Sequence, residues 1–457
     1  MNKHYHLIGI GGIGMSGIAH LLLHSGIKVS GSDLKENPIT LELQSLGAQI
    51  FLGHNEQNIK NPTTVVYSSA IKEDNPEIVE ARKKGIPIIK RAQALAELMK
   101  DKTVITVTGS HGKTTTTSLV SYLLLEAGLS PNVAIGGILR NIDNNAYFGN
   151  GKFFVAEADE SDGSFLYYQP KYSIITNIDR EHLDYYKDFQ KELDAFREFI
   201  HRTEKGGCLF CCDDDVNLKN ILKGCKNRHV LFGLKETADI YPKNIQLNGL
   251  SSEFDCFFKD EFIGRFNLAL GGMHNVSNAL SVIALGLELG IGEGIIKKAL
   301  AGYRGAKRRL ETKFDERGIT VIDDYAHHPT EIKATLLAAK DLKKERVIAV
   351  FQPHRYTRTQ LLLDEFGASF DAADYVIITD IYAASEPPIE GVSGRNICER
   401  IKRRSPEKTV HFLPKQEIVE HILGIIKPND LVIMLGAGDI VKTGDELAQR
   451  LKGQGKA

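Results

Sequence analysis

The residue types of Gly109-Ser110-His111-Gly112-Lys113-Thr114-Thr115 specify chemistry more directly than any other stretch of the chain. Glycines let backbone N–H groups curl around phosphate oxygens, the N-terminus of the helix that follows adds a favourable dipole, Lys113 reaches β- and γ-phosphates, and the Thr114 hydroxyl can ligate Mg²⁺. The expected ligand is a nucleoside triphosphate with its metal. The general spacing G-x-x-x-x-G-K-[ST] would put the first glycine at position 107, which is Val107, so this loop is short. The alternative is a glycine-rich cap on an ordinary strand-to-helix turn.

Four further clusters could act with it. Glu157-Ala158-Asp159-Glu160-Ser161-Asp162 brings four carboxylates into one turn, a pattern that suits Mg²⁺ beside a triphosphate or, more plainly, a solvated acidic loop. Asn177-Ile178-Asp179-Arg180-Glu181-His182 follows another strand and offers His182. Near the N-terminus, Gly9-Ile10-Gly11-Gly12-Ile13-Gly14 followed later by Asp33 has the layout of a dinucleotide or nucleotide-diphosphate site, although glycines there can also serve close packing. Asn275 and Asn278 are three apart on one helical face, where amides can read a base edge or cap the helix.

These clusters need a scaffold, and the strand pattern supplies one. His6–Ile8, Val104–Val107, Phe153–Ala156, Tyr172–Thr176, Gly318–Ile322, Arg346–Phe351 and Asp430–Met434 are short, mainly apolar runs with helical segments between them, the signature of parallel sheets. Polar residues gather just past the strand ends: Ser68-Ser69, Asp323-Asp324-Tyr325-Ala326-His327-His328, and Gln352-Pro353-His354-Arg355. The carboxyl edge of an open parallel sheet is where ligands bind.

At 457 residues the chain exceeds a single hydrophobic core, so two or three domains are expected. A net charge of −1 gives no global electrostatic case for nucleic acid or membrane binding. The opening MNKHYHLIGIGG lacks a signal-peptide layout and no apolar run approaches a membrane span, so a soluble cytoplasmic protein is expected. Six cysteines are too few for a disulfide framework. Cys208, Cys211, Cys212 and Cys225 include a C-x-x-C, but no second ligand pair stands at zinc spacing, and Cys208–Cys212 reads as a buried strand.

Taken in order, GIGGIGMSGIA, TGSHGKTTTT, EADESDGSF, NIDREHLD, HNVSNAL, KRRLE, DDYAHHPTE and QPHRYTRT resemble the motifs of the Mur ligases, ATP-dependent amide-forming enzymes of peptidoglycan precursor synthesis. The resemblance covers nearly the whole chain, and the short phosphate loop is that family's own form. It implies an α/β protein of three domains: a Rossmann-like N-terminal domain (1–100), a P-loop ATPase-like central domain (101–305) and a Rossmann-like open sheet (306–457).

The resemblance also implies roles. ATP would be held by Gly109, Ser110, His111, Gly112, Lys113, Thr114, Thr115, Asn275, Asn278, Arg309 and Asp324, and Mg²⁺ by Thr114, Glu157 and His182. The UDP part of UDP-N-acetylmuramate would lie on Gly11, Gly12, Ile13, Gly14, Asp33, Ser68 and Ser69. L-alanine would meet Tyr325, His327, His328, His354 and Arg355, and His328 or His354, with a pKa near neutrality, would take the ammonium proton. The catalytic set implied is Lys113, Glu157, His182, His328 and His354, in a monomer or homodimer. Several relatives carry a carbamylated lysine in the stretch corresponding to Asp194–Phe199; none stands there, so that modification is not expected. A sibling ligase adding a murein tripeptide, a nicotinamide oxidoreductase and a P-loop ATPase of other function are the rivals.

Overall fold

The structure, a computed structural model, describes residues 3–68 and 70–453. Ser69, one of the residues assigned to the UDP part, lies outside them. The chain divides into two compact units. The first comprises Met1–Lys243, Asp255–Phe266 and Ser277–Arg304; the second comprises Asn244–Phe254, Asn267–Val276 and Gly305–Ala457.

Two sheets build most of the first unit. The N-terminal one has five parallel strands in the spatial order Gln49–Leu52, Lys28–Asp33, His4–Ile8, Thr64–Tyr67, Ile88–Lys90. His4–Ile8 is buried along its whole length, as a strand covered by helices on both faces must be. The helix Ile13–His24 leaves the glycine turn at the carboxyl end of that strand. Pro38 and the Asn37–Thr40 capping box start the next helix by pre-setting its first turn and satisfying its orphan N–H groups.

The second sheet has a parallel middle in the order Cys208–Cys212, Tyr172–Ile175, Thr103–Thr108, Phe153–Glu157, Asn132–Leu139. Val104, Ile105 and Val107 of the central strand are buried, each contributing roughly 1.5–3 kcal/mol by leaving water. The interior Thr106 hydroxyl is paired with Ser173 Oγ at 2.7 Å, which removes the cost of burying both. Cys208, Cys211 and Cys212 lie buried in their strand, where burial raises all three thiol pKa values.

The N-terminal and central regions pack as one unit because polar groups knit them. Asn145, on the hairpin strand Asn144–Tyr147, donates its amide to the Ile13 carbonyl and to Ser16 Oγ, at the first turn of the helix behind the glycine turn. The second unit carries a six-stranded sheet ordered Glu311–Glu316, Ile319–Asp324, Asp430–Leu435, Arg346–Phe351, Tyr375–Ile378, Thr409–Phe412. Only its first pair is antiparallel. Apolar cores cover both faces, one built around Phe351, Phe366 and Phe370, the other around Val350, Ile418 and Leu447.

Candidate active site

The phosphate loop sits where strand Thr103–Thr108 gives way to helix Lys113–Glu126, and it is laced to the loop after strand Tyr172–Ile175. Asn177 Oδ1 accepts from the His111 N–H at 2.9 Å and the Asn177 amide donates to the His111 carbonyl at 3.0 Å. Thr176 Oγ1 donates to that same carbonyl, and Ser110 Oγ accepts from the Asp179 N–H. The Asn177-to-His182 motif therefore works first as the cradle of the phosphate loop. Gly112 has a left-handed backbone (φ +84°), and a Cβ there would lie 3.0 Å from Asn278 Oδ1. Asn278 thus stands against the loop, while Asn275 spends its amide on the Gly271 carbonyl at 2.8 Å.

Lys113 folds back, donating to the Gly109 and Ser110 carbonyls at 2.6 and 3.1 Å and to Glu160 Oε1 at 2.7 Å. Burial opposes its charge, but the Glu160, Asp159 and Glu157 carboxylates together outweigh burial and hold its pKa above the ordinary lysine value. The structure sorts the four acids of the turn. Glu157 accepts from Thr114 Oγ1 at 3.2 Å and from the Gly136 N–H at 2.9 Å. Glu160 faces Lys113 and, at 3.2 Å, His182 Nε2. Asp159 faces Arg91 at 3.7 Å, and Asp162 accepts from the Ser164 N–H within its own turn. Burial raises the pKa of Glu157, whereas Asp159 is held low because Lys113 and Arg91 outweigh its burial. His182 has a left-handed backbone (φ +55°), a strained conformation of the kind found at functional sites.

A divalent cation fits this donor set. Thr114 Oγ1 and the Glu157 and Glu160 carboxylates are hard oxygen donors beside the loop, and the buried Glu160 Oε2 has no hydrogen-bond partner among the described residues.

In the N-terminal sheet the glycine turn spends most of its donors on itself. Gly9 and Ile10 donate to the Ser32 carbonyl, Gly11 to Asp33 Oδ2 at 2.9 Å, and Gly12 to the Gly9 carbonyl. Among the described residues this leaves the Ile13 and Gly14 N–H groups, at the start of the helix, for an anion. Asp33 therefore shapes the turn, and Ser68 follows directly on the neighbouring strand Thr64–Tyr67 at the same edge. Arg91 was not among the sequence candidates, although it follows directly on the strand Ile88–Lys90 at the carboxyl edge. Its guanidinium lies so close to Gly14 that a Cβ there would come within 2.6 Å of it.

In the second unit, Asp324 is buried and accepts from the Leu310 and Ala326 N–H groups at 2.7 and 2.8 Å, so it folds the Arg308–Leu310 segment against the strand end. Burial raises its pKa, against the pull of Arg309. The Arg309 guanidinium stands over the Tyr325 ring at 5.2 Å. His328 caps helix Pro329–Lys340, and the His327 and His328 N–H groups both donate to Glu331. His354 lies 5.6 Å from the His327 ring. Its pKa is pushed down to about 3 by burial, assisted by His327, Arg358, Arg355 and Arg308. This runs against the expectation of a near-neutral pKa there: a buried ring, with cations beside it, resists a proton. The same positive surroundings suit a carboxylate. Within Asp194–Phe199, Phe196 is buried, edge-on to Phe165 at 5.3 Å.

Comparison with known proteins places three family descriptions along the chain: Mur ligase family, catalytic domain, over residues 4–103; Mur ligase middle domain over 107–286; and Mur ligase, glutamate ligase domain, over 308–438. A UDP-N-acetylmuramate--L-alanine ligase of Geotalea uraniireducens is 46% identical over 448 residues, covering 98% of both chains. One of Desulfotalea psychrophila is 48% identical over 452 residues, again covering 98% of each. Among solved structures, the UDP-N-acetylmuramate-alanine ligase MurC of Thermotoga maritima superposes with a TM-score of 0.84 at 31% identity over 99% of both chains. A murein peptide ligase of Psychrobacter arcticus gives 0.72 at 26% identity over 99% of this chain and 98% of its own.

Proposed function

This chain belongs to the Mur ligase family, and from that membership we propose that it couples ATP cleavage to joining L-alanine to the lactyl carboxylate of UDP-N-acetylmuramate in peptidoglycan precursor synthesis. The observation that carries the reading is similarity along the whole chain to ligases of that name, 46 to 48% identical across 98% of the sequence. The murein peptide ligase resemblance reaches just as far along the chain, at 26% identity, and is the second reading. The proposed UDP-linked substrate and ATP support a reaction in the cytoplasm. Among the described residues no helix is long and apolar enough to cross a membrane.

A carboxylate is a poor acyl donor. One of its oxygens attacks the γ-phosphorus of ATP, giving an acyl phosphate and ADP; the neutral amine of alanine then adds to the acyl carbon, and the tetrahedral intermediate expels phosphate. The chain's own groups handle the charge. Lys113 leaves its resting contacts with the Gly109 and Ser110 carbonyls for the β/γ-phosphate oxygens, offsetting repulsion between the two anions. Thr114 and Glu157 would hold Mg²⁺, with His182 and Glu160 beside them; the metal supplies further charge neutralisation when bound. The Ile13 and Gly14 N–H groups and Arg91 receive the diphosphate of the UDP sugar. Arg355 and the surrounding cations receive the alanine carboxylate. The low pKa of His354 leaves His328 as the histidine proposed to take the ammonium proton.

The test is phosphate release from ATP by the purified chain with UDP-N-acetylmuramate and L-alanine supplied together or singly. Release that needs both supports the reading. Release with the murein tripeptide and none with L-alanine moves the assignment to the sibling ligase, and release independent of the sugar nucleotide refutes both.

A further inference from the structure

Three non-glycine residues with left-handed backbones lie in two neighbouring segments of the second unit: Arg355 (φ +71°), Ala384 (φ +47°) and Ser385 (φ +70°). L-side chains disfavour this region, so its recurrence here needs a reason, and strain of this kind gathers where geometry is functional. The segments are bonded to each other. The Arg355 N–H donates to the Tyr382 carbonyl and the Tyr382 N–H to the Pro353 carbonyl, both at 2.8 Å, around a parallel bridge between His354 and Tyr382.

What the strained turn achieves is visible at its two ends. At one end the Glu386 N–H closes onto the Ala383 carbonyl at 2.9 Å, and the Glu386 carboxylate is delivered to Thr357, accepting from its N–H at 3.1 Å and its hydroxyl at 2.7 Å. Arg355 Nη1 stands 4.0 Å from the same carboxylate. At the other end the Tyr382 ring stacks on the His354 ring, centroids 5.5 Å apart and planes 14° from parallel. It is seated on Gly438, where a Cβ would approach Tyr382 Cγ to 2.6 Å. Held by His354, by Gly438 and by its own backbone, Tyr382 is still 39% exposed as a residue.

We propose that Tyr382 is a specificity-determining residue of the amino-acid site, its ring set against His354 by the Glu386-anchored turn to form a wall that admits a methyl side chain and rejects branched ones. The inference rests on the reading that His354 and Arg355 line that site. With the carboxylate of the amino acid drawn to the cations around His354, its side chain meets the adjoining aromatic surface. A wall on a loose loop would yield to a larger side chain, whereas this one is fixed at both ends. Glu386 is a positioning residue, acting through Thr357 and Arg355.

The experiment compares kcat/KM for L-alanine and L-valine, at saturating ATP and UDP-N-acetylmuramate, in the wild-type chain, Tyr382→Ala and Tyr382→Phe. Tyr382→Ala is expected to raise the valine-to-alanine ratio by about tenfold or more, the discrimination an apolar pocket exercises over one or two carbons. Tyr382→Phe keeps the ring and the wild-type ratio. Glu386→Gln is expected to raise KM for L-alanine severalfold with KM for ATP unmoved, and Glu386→Asp to recover part of the loss. An unchanged ratio in folded Tyr382→Ala overturns the proposal. Should that variant fail to fold, Gly438→Ala, which displaces the ring from its seat, decides by the same ratio. A wild-type chain that releases no phosphate with L-alanine defeats the functional reading itself, a different result from an active enzyme whose ratio does not move.

Discussion

Lys113 and Glu160 form a 2.7 Å ion pair in which the carboxylate is wholly buried, so the lysine expected to meet a triphosphate rests against an acid until one arrives. The two oxygens of Glu160 differ: Oε1 serves Lys113 and His182, while Oε2 has no hydrogen-bond partner among the described residues. Lys113→Ala should therefore abolish alanine-dependent phosphate release while leaving UDP-N-acetylmuramate binding near wild type. Glu160→Gln should lower kcat by about a hundredfold, the usual effect of losing one preorganised electrostatic group. Asp162→Asn should stay within a few-fold of wild type, since Asp162 caps its own turn. Steady-state phosphate release across the three variants checks the order.

At the N-terminal turn, Gly14 and Arg91 need each other's shape. A methyl group at position 14 would come within 2.6 Å of Nη1 and push the guanidinium away from the two N–H groups left for an anion. Gly14→Ala and Arg91→Ala should each raise KM for UDP-N-acetylmuramate by about tenfold, the value of one charge-assisted contact, with KM for ATP unchanged. Equal changes in both KM values would contradict the assignment.

The strand, glycine turn and helix that carry Lys113 are legible in the sequence because they lie within a few residues of one another. What surrounds them is not. In sequence the Asn177 motif shows a lone histidine, yet its first task is to bond the His111 backbone, a relationship between residues 66 positions apart. Asp33, at a strand end, and Asp324, through the family resemblance, are expected to contact ligands; in the fold both spend oxygens on neighbouring backbone N–H groups. Arg91 and Glu386 carried no motif because their partners, Gly14 with Asp159 and Thr357 with Arg355, adjoin them only after folding. The four carboxylates of the acidic turn looked equivalent in sequence, and only the positions of Thr114, Lys113 and Arg91 separate them.

Two histidines of the second unit tie stability to pH. Burial, assisted by Arg309, lowers the pKa of His274 from 6.5 to about 4, and burial with its cationic neighbours lowers His354 from 6.5 to about 3. Below pH 6.5 the unfolded chain takes up protons that the folded one refuses, so this stability is complete above pH 6.5 and is lost as pH falls toward 4. Each histidine contributes a slope of up to about 1.4 kcal/mol per pH unit. The thermal midpoint should drop between pH 6.5 and 4.5, and His274→Gln should lessen the drop. An equal drop in wild type and variant would remove His274 as a cause.

Gly112 meets two constraints that mutation can separate. Its φ of +84° disfavours any side chain, and its α-carbon faces Asn278 Oδ1. Gly112→Ala should cost about 1–2 kcal/mol through the backbone alone, with a further penalty from the 3.0 Å approach of its methyl to the amide oxygen. In an Asn278→Ala background the second penalty disappears and the first remains. Urea unfolding of the four proteins, without nucleotide, should therefore show Gly112→Ala costing less beside alanine than beside asparagine. Identical costs in the two backgrounds would mean that the amide moves aside freely, and that its closeness to the loop does not constrain position 112.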